Sequence, residues 1–101
     1  MNMRSKVLKE HEIEKYFQWV VATIGGNTYK FKSPNKRGVS DQIACLPDGQ
    51  TWFVELKRPK GGVVAPLQEV FEQDMKKLHQ KYARLTTREA INEWIAKAMN
   101  R

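Results

Sequence analysis

Two acidic residues and a lysine stand where they could hold a divalent cation beside an ammonium group. Asp41 closes Gly38-Val39-Ser40-Asp41, and Glu55 and Lys57 lie in Val54-Glu55-Leu56-Lys57; the turn sequence Pro47-Asp48-Gly49 separates them. A hard cation such as Mg²⁺ takes oxygen ligands and keeps several waters, so one or two carboxylates suffice. Such an ion polarises a phosphate oxygen and generates or orients a nucleophilic water. A neighbouring lysine would stabilise the charge that develops in the transition state. Glu-x-Lys alone is common by chance, and its bland reading is a surface ion pair. Position carries the weight here. Glu55 and Lys57 end an apolar strand, where a charge is costly unless a partner or a metal meets it.

The turn must bring these groups together. Leu46-Pro47-Asp48-Gly49 fits a type I turn, with Pro in the second position and Gly available for a left-handed fourth. A type I turn followed by such a Gly makes a three-residue hairpin loop. Asp41 to Leu46 and Thr51 to Lys57 then pair as strands, with Leu46 opposite Gln50 and Asp41 opposite Glu55. Opposed residues share a face, and Lys57, two residues on, points the same way. A two-residue loop would turn Asp41 to the other side.

Around the hairpin, Ile13, Phe17, Val20, Val21 and Ile24 trace one face of a helix from about Val7, which Gly25-Gly26-Asn27 stops. Thr28 to Lys32 alternates as a strand, with Tyr29 and Phe31 on one face. Ser33 to Gly38 is a basic loop, and Pro59-Lys60-Gly61-Gly62 ends the hairpin. A second helix starts near Pro66 with Leu67, Val70, Phe71, Met75 and Leu78 as its apolar face. Lys81 to Thr86 reads as a fourth strand. Thr86-Thr87-Arg88-Glu89 reads as a capping box for a last helix that buries Ile91, Trp94, Ile95 and Ala98. The order is α-β-β-β-α-β-α. A hairpin apolar on both faces (Trp52, Val54 and Leu56 against Ile43, Cys45 and Phe53) predicts an α/β fold with helices on both sides of the sheet.

Composition bounds the function. The 101 residues suit a single domain, and 41% hydrophobic content excludes a disordered chain. Lys and Arg outnumber Asp and Glu by 18 to 11, a formal charge of +7 that predicts attraction to phosphates. The one cysteine, Cys45, reads as a buried small hydrophobe, with no disulfide or zinc site in prospect. No apolar run is long enough to span a membrane and the N-terminus does not resemble a signal peptide, so a cytoplasmic protein is expected. His11 and His79 read as surface residues.

Further acids and amides need weighing. Glu14 sits at the edge of the first helix's apolar stripe, almost in line with Val21. Glu10 falls inside that stripe one turn earlier, where a carboxylate favoured by the helix dipole is an equal account. Gln68 lies in the first turn of the second helix, where backbone amides attract anions; a solvent-facing glutamine is the plainer reading.

Taken in order, Ile13-Glu14, Gly25-Gly26, Tyr29-Lys30-Phe31, Ser33-Pro34, Arg37-Gly38-Val39-Ser40-Asp41, Phe53-Val54-Glu55-Leu56-Lys57 and Pro66-Leu67-Gln68 resemble the virus-type replication-repair nuclease domain, VRR-NUC. This domain is a branch of the PD-(D/E)xK nucleases, and the likeness is to its stand-alone phage-type form. The resemblance runs from about Glu10 to Trp94. It implies a restriction-endonuclease-like core, with a mixed sheet flanked by helices, and Mg²⁺- or Mn²⁺-dependent cleavage of DNA. By position it makes Asp41 and Glu55 the metal-binding acids, with the Leu56 carbonyl a further ligand. Lys57 becomes the catalytic lysine, Glu14 the first-helix acid and Gln68 the second-helix glutamine. Ser40 departs from the pattern, which often has Pro there.

The resemblance also implies homodimers acting on branched DNA such as four-way junctions, and a C₂ dimer would supply the two related cuts. Lys30, Lys32, Lys36, Arg37, Arg58 and Lys60 are the candidate phosphate contacts. With no base-reading motif, recognition by DNA shape is expected. The alternatives are a basic nucleic-acid-binding module without catalysis and a small RNA-binding or regulatory protein. The last lacks support, since no RRM-like aromatic motif or Gly-x-x-Gly clamp is present.

Overall fold

The structure, a computed structural model, describes residues 9–32, 41–57 and 66–100. Seven elements follow one another: α1 (Glu10–Thr23), β1 (Asn27–Lys30), β2 (Gln42–Cys45), β3 (Thr51–Leu56), α2 (Pro66–Lys77), β4 (Tyr82–Leu85) and α3 (Arg88–Met99). The strands form one sheet in the order β1-β2-β3-β4, antiparallel except for the parallel β3–β4 pair. This is the expected element order in a mixed α/β sheet.

The hairpin has the register its turn predicts. Gln42 pairs with Val54, Ile43 with Phe53, Ala44 with Trp52 and Cys45 with Thr51. In the loop the Leu46 N–H donates to the Gln50 carbonyl at 2.9 Å and the Gly49 N–H to the Leu46 carbonyl at 3.1 Å. Gly49 is left-handed, with φ of +95°. A side chain there would be strained, and the glycine therefore holds the three-residue loop.

α1 ends as its glycines require. The Gly25 N–H donates to the Ala22 carbonyl at 3.0 Å and the Gly26 N–H to the Val21 carbonyl at 2.9 Å, with Gly25 at φ +90°. These paired bonds satisfy the last carbonyls of the helix. Gly26 also lets the helix end approach β2, because a Cβ there would lie 2.7 Å from the Cys45 carbonyl oxygen. α2 closes with the same pair of bonds, from His79 to Lys76 and from Gln80 to Met75, but with His79 as the left-handed residue at φ 58°.

Alternation along the strands gives the sheet two sides. Ala44, Val54, Leu56 and Leu85 join Ile13, Phe17, Val20 and Val21 of α1 and Ile91, Trp94 and Ala98 of α3 in the core. On the other side Phe71 of α2 packs edge-on against Phe53 and Tyr82, at centroid distances of 5.9 and 6.0 Å.

Four local expectations need correction. The N-cap of α3 is Thr87, whose hydroxyl accepts from the Ala90 N–H at 2.9 Å. The cap thus falls one residue after Thr86, and Ala90 cannot return the bond that Glu89 would have made in a capping box. α2 contains no buried residue: Leu67, Val70 and Leu78 are exposed, at 48%, 53% and 61%. A stripe at helical spacing shows that a face is apolar, not what covers it. Cys45 is half-buried rather than buried, because it lies on the α2 side near the end of β2. β1 stops at Lys30, although the Phe31 N–H still donates to the Asp41 carbonyl at 2.9 Å. The expected start of α1 at Val7 and the loop from Ser33 to Gly38 lie outside the described residues. No helix among the described residues is long and apolar enough to cross a membrane.

Candidate active site

One row across the sheet brings the two candidate acids, Asp41 and Glu55, together. The β1–β2 and β2–β3 registers, each continued by one residue, set Phe31 beside Asp41 and Asp41 beside Glu55, while Glu55 pairs with Arg84 of β4. The whole row faces the α2 side. Glu55 is 3% exposed, so its charge needs compensation in place. Gln68, from the first turn of α2, donates its Nε2 to Glu55 Oε2 at 2.7 Å. The Lys57 ammonium lies 3.7 Å from the same oxygen, with its side chain largely buried. The structure thus joins Glu55, Lys57 and Gln68 directly and sets Asp41 alongside Glu55.

Leu56 points to the opposite side of the sheet and is buried in the core. Its backbone lies between Glu55 and Lys57, at the C-terminal end of β3. Asp41 lines an open depression of about 320 Å³ together with Lys30, Phe31 and Lys32. Lys30 and Lys32 are exposed beside an acid of the site, where a phosphate backbone could reach them. Lys36, Arg37, Arg58 and Lys60 lie outside the described residues, as do Gly38, Val39 and Ser40.

Glu14 occupies the α1 side. Its Oε2 accepts from Gln42 Nε2 at 2.6 Å and meets the Lys30 ammonium at 3.2 Å. It is linked to the row through its partner, since Gln42 follows Asp41 in the chain and faces the other way. The Glu10 side chain lies outside the described part of the structure. His11 and His79 are exposed, as expected of surface residues.

Sequence reasoning passed over three residues of this neighbourhood. Gln42 is fully buried. Glu72 of α2 bonds to Arg84 at 2.7 Å and to Lys76 at 3.1 Å. Burial raises its pKa, but these bonds and charges more than offset that and hold it below the ordinary carboxylate value. Tyr82 has its phenol pKa pushed up by burial, and then by the Glu72 and Glu55 carboxylates, so its proton is firmly held. The missed signals are positional: each becomes visible only once the strand register and the α2 docking are known.

The donor set suits a hard divalent cation. Among the described residues no three His, Cys, Asp or Glu side chains gather into a metal cluster. Two carboxylates on adjacent strands with a backbone carbonyl nearby are what Mg²⁺ accepts, because it keeps water in its remaining positions. A larger groove of about 730 Å³, lined by Trp52, Lys81, Trp94 and Lys97 among others, lies at the turn end of the hairpin, and Asp48 is its one acid among the described residues.

Two known proteins are similar to this chain. A solved structure described as "VRR_NUC domain" superposes with a TM-score of 0.81 at 24% identity, covering 87% of this chain and 95% of that one. The chain has the VRR_NUC fold. In sequence, 54 residues are 46% identical to "Putative nuclease p44" of Acyrthosiphon pisum secondary endosymbiont phage 1. That match spans 54% of this chain and 58% of the phage protein. No family model matches the chain. The mixed four-stranded sheet and three helices of the described residues match the VRR_NUC fold.

Proposed function

We propose that this chain is a metal-dependent DNA endonuclease of the VRR-NUC type, hydrolysing phosphodiester bonds. The observation that carries the reading is the placing of Asp41 opposite Glu55, with Glu55 buried and held by Gln68 and Lys57. The phage relative's name and the superposed domain support it.

Asp41, Glu55 and the Leu56 carbonyl would hold Mg²⁺ or Mn²⁺, which supplies Lewis-acid polarisation of a phosphate and a more acidic water. The remaining work belongs to side chains. Gln68 holds one oxygen of Glu55, so that the carboxylate stays in a single orientation. Lys57 sets a positive charge at the end of β3, where it would stabilise a phosphorane-like transition state. Lys30 and Lys32 would seat the strand through its phosphates, without reading bases. The finer reading is a homodimer, cytoplasmic and selective for branched DNA such as four-way junctions. Two sites related by a two-fold axis would make the paired cuts that one site cannot.

The test is cleavage of linear, nicked, flapped and four-way DNA in Mg²⁺, Mn²⁺ and EDTA, with mass measured by light scattering. Wild type should cut with metal and stop in EDTA. Asp41→Asn and Glu55→Gln should fall to background while still binding DNA. Binding without cutting in any metal would leave the basic-module reading instead. A monomer cutting linear and branched DNA equally would remove the junction assignment alone.

A further inference from the structure

Gln42 has no part in the arrangement just described, yet it is among the least exposed side chains of the protein. It and Glu55 are the buried polar or charged residues among those described, and Gln42 is 0% exposed. A methionine would fill the same space without taking an amide out of water, which is unfavourable unless its hydrogen bonds are made. Gln42 has a bond on one side only. Its Nε2 donates to Glu14 Oε2 at 2.6 Å, while its Oε1 is buried and has no hydrogen-bond partner among the described residues. The carboxylate sets the direction of the amide, because turning it over would bring two oxygens together. The amide is therefore directed at Glu14.

Glu14 has a second partner, of a different kind. The Lys30 side chain is 70% exposed, and its ammonium lies on the same Glu14 oxygen at 3.2 Å. Lys30 also lines the depression beside Asp41, where DNA phosphate would compete for it. An exposed ammonium can change partners, whereas a buried amide at the centre of the sheet cannot. Gln42 is also neutral, so it orients the carboxylate without cancelling its charge.

We infer that Gln42 is a positioning residue, whose buried amide keeps the Glu14 carboxylate fixed at the end of the sheet that carries Asp41 when substrate draws Lys30 away. This rests on the nuclease reading above. It also explains why an amide occupies a core position directly after Asp41: one strand then places a metal-site acid on one face and the anchor of the first-helix acid on the other.

A double-mutant cycle tests it, using Gln42→Met, Glu14→Gln and the two combined. Each variant is assayed for kcat and KM on the DNA that wild type cuts best, at saturating metal, and for its unfolding midpoint in urea. Gln42→Met should lower kcat by about 10-fold or more, the usual size for loss of a residue that orients a site group, and leave KM unchanged. Its midpoint should stay level or rise. The combined variant should cut no more slowly than Glu14→Gln alone, since Gln42 acts through Glu14. Gln42→Leu, apolar and close in size, should lose as much as Gln42→Met. It stands in for that variant in the cycle if the methionine does not fold. Additive losses, or kcat at the wild-type level in Gln42→Met, overturn the inference while the nuclease reading stands. A wild type that cuts no DNA with any metal removes both.

Discussion

On the side of the sheet that meets α1 and α3, Ile13, Phe17, Val21, Val54 and Ile91 are fully buried; α2, on the other side, buries none of its own residues. The second side instead carries the row Phe31, Asp41, Glu55 and Arg84, with Lys57 and Gln68 beside it. Stability and most of the proposed chemistry thus fall on different faces. A site for a polyanion must be wet and reachable, which a fully packed face cannot be. The apolar burial of the first face offsets the thin packing of the second, at roughly 1.5–3 kcal/mol for each large side chain.

The sharpest way to break this comparison is to remove one aromatic ring from each side. Phe17→Ala should cost about 3–5 kcal/mol, a large share of the roughly 5–15 kcal/mol that holds such a domain together. Phe71→Ala removes a half-buried ring resting on Phe53 and Tyr82 and should cost roughly half as much. Urea unfolding of the two variants under one buffer decides it. Equal losses would mean that α2 is as much a part of the core as α1.

Next in size is a loss in the chemical step. Lys57→Met keeps the aliphatic stem and removes the ammonium, so cleavage should slow by about 10²-fold at saturating metal. The urea midpoint should fall only in part, because the buried Glu55 loses the charge beside it but keeps its bond from Gln68. If metal affinity falls while turnover at saturating metal persists, Lys57 supports the architecture rather than the reaction.

The same division explains what could be read from the sequence. The hairpin register was legible because Pro47, Asp48 and Gly49 specify a loop of one length, and a loop length decides every opposing pair down to Asp41 and Glu55. The helix stop at Gly25-Gly26 was legible for a similar reason, since a left-handed residue there favours glycine. The cover of α2 was not. Leu67, Val70 and Leu78 keep a helical period whether a sheet, a partner or water lies against them. Gln42 was hidden because a lone amide between Asp41 and Ile43 looks like a surface residue until the register places it beside Val54. The α3 cap was missed by one residue because Thr86 and Thr87 are both good caps, and only the fold selects the second.

The smallest expected effect concerns how α2 is fastened over the chemical face. Glu72 bonds to Arg84 of β4 and to Lys76 of its own helix, which ties the helix to the sheet beside Glu55. These partners hold the carboxyl pKa of Glu72 below its ordinary 4.5 in the folded protein. A depressed folded pKa contributes stability that is fully present above the unfolded value and is lost as pH falls through the folded one. The benefit should therefore be constant from neutral pH down to about 4.5 and decline below it. Its partners are exposed, so its size is modest. Glu72→Gln removes the titration but keeps the shape. The melting temperature of wild type should exceed that of Glu72→Gln at pH 7, and the gap should close as both are taken towards pH 3. A gap that stays the same across that range would mean the two side chains differ in packing rather than charge, and that Phe71 and Gln68 hold α2 without help from this ion pair.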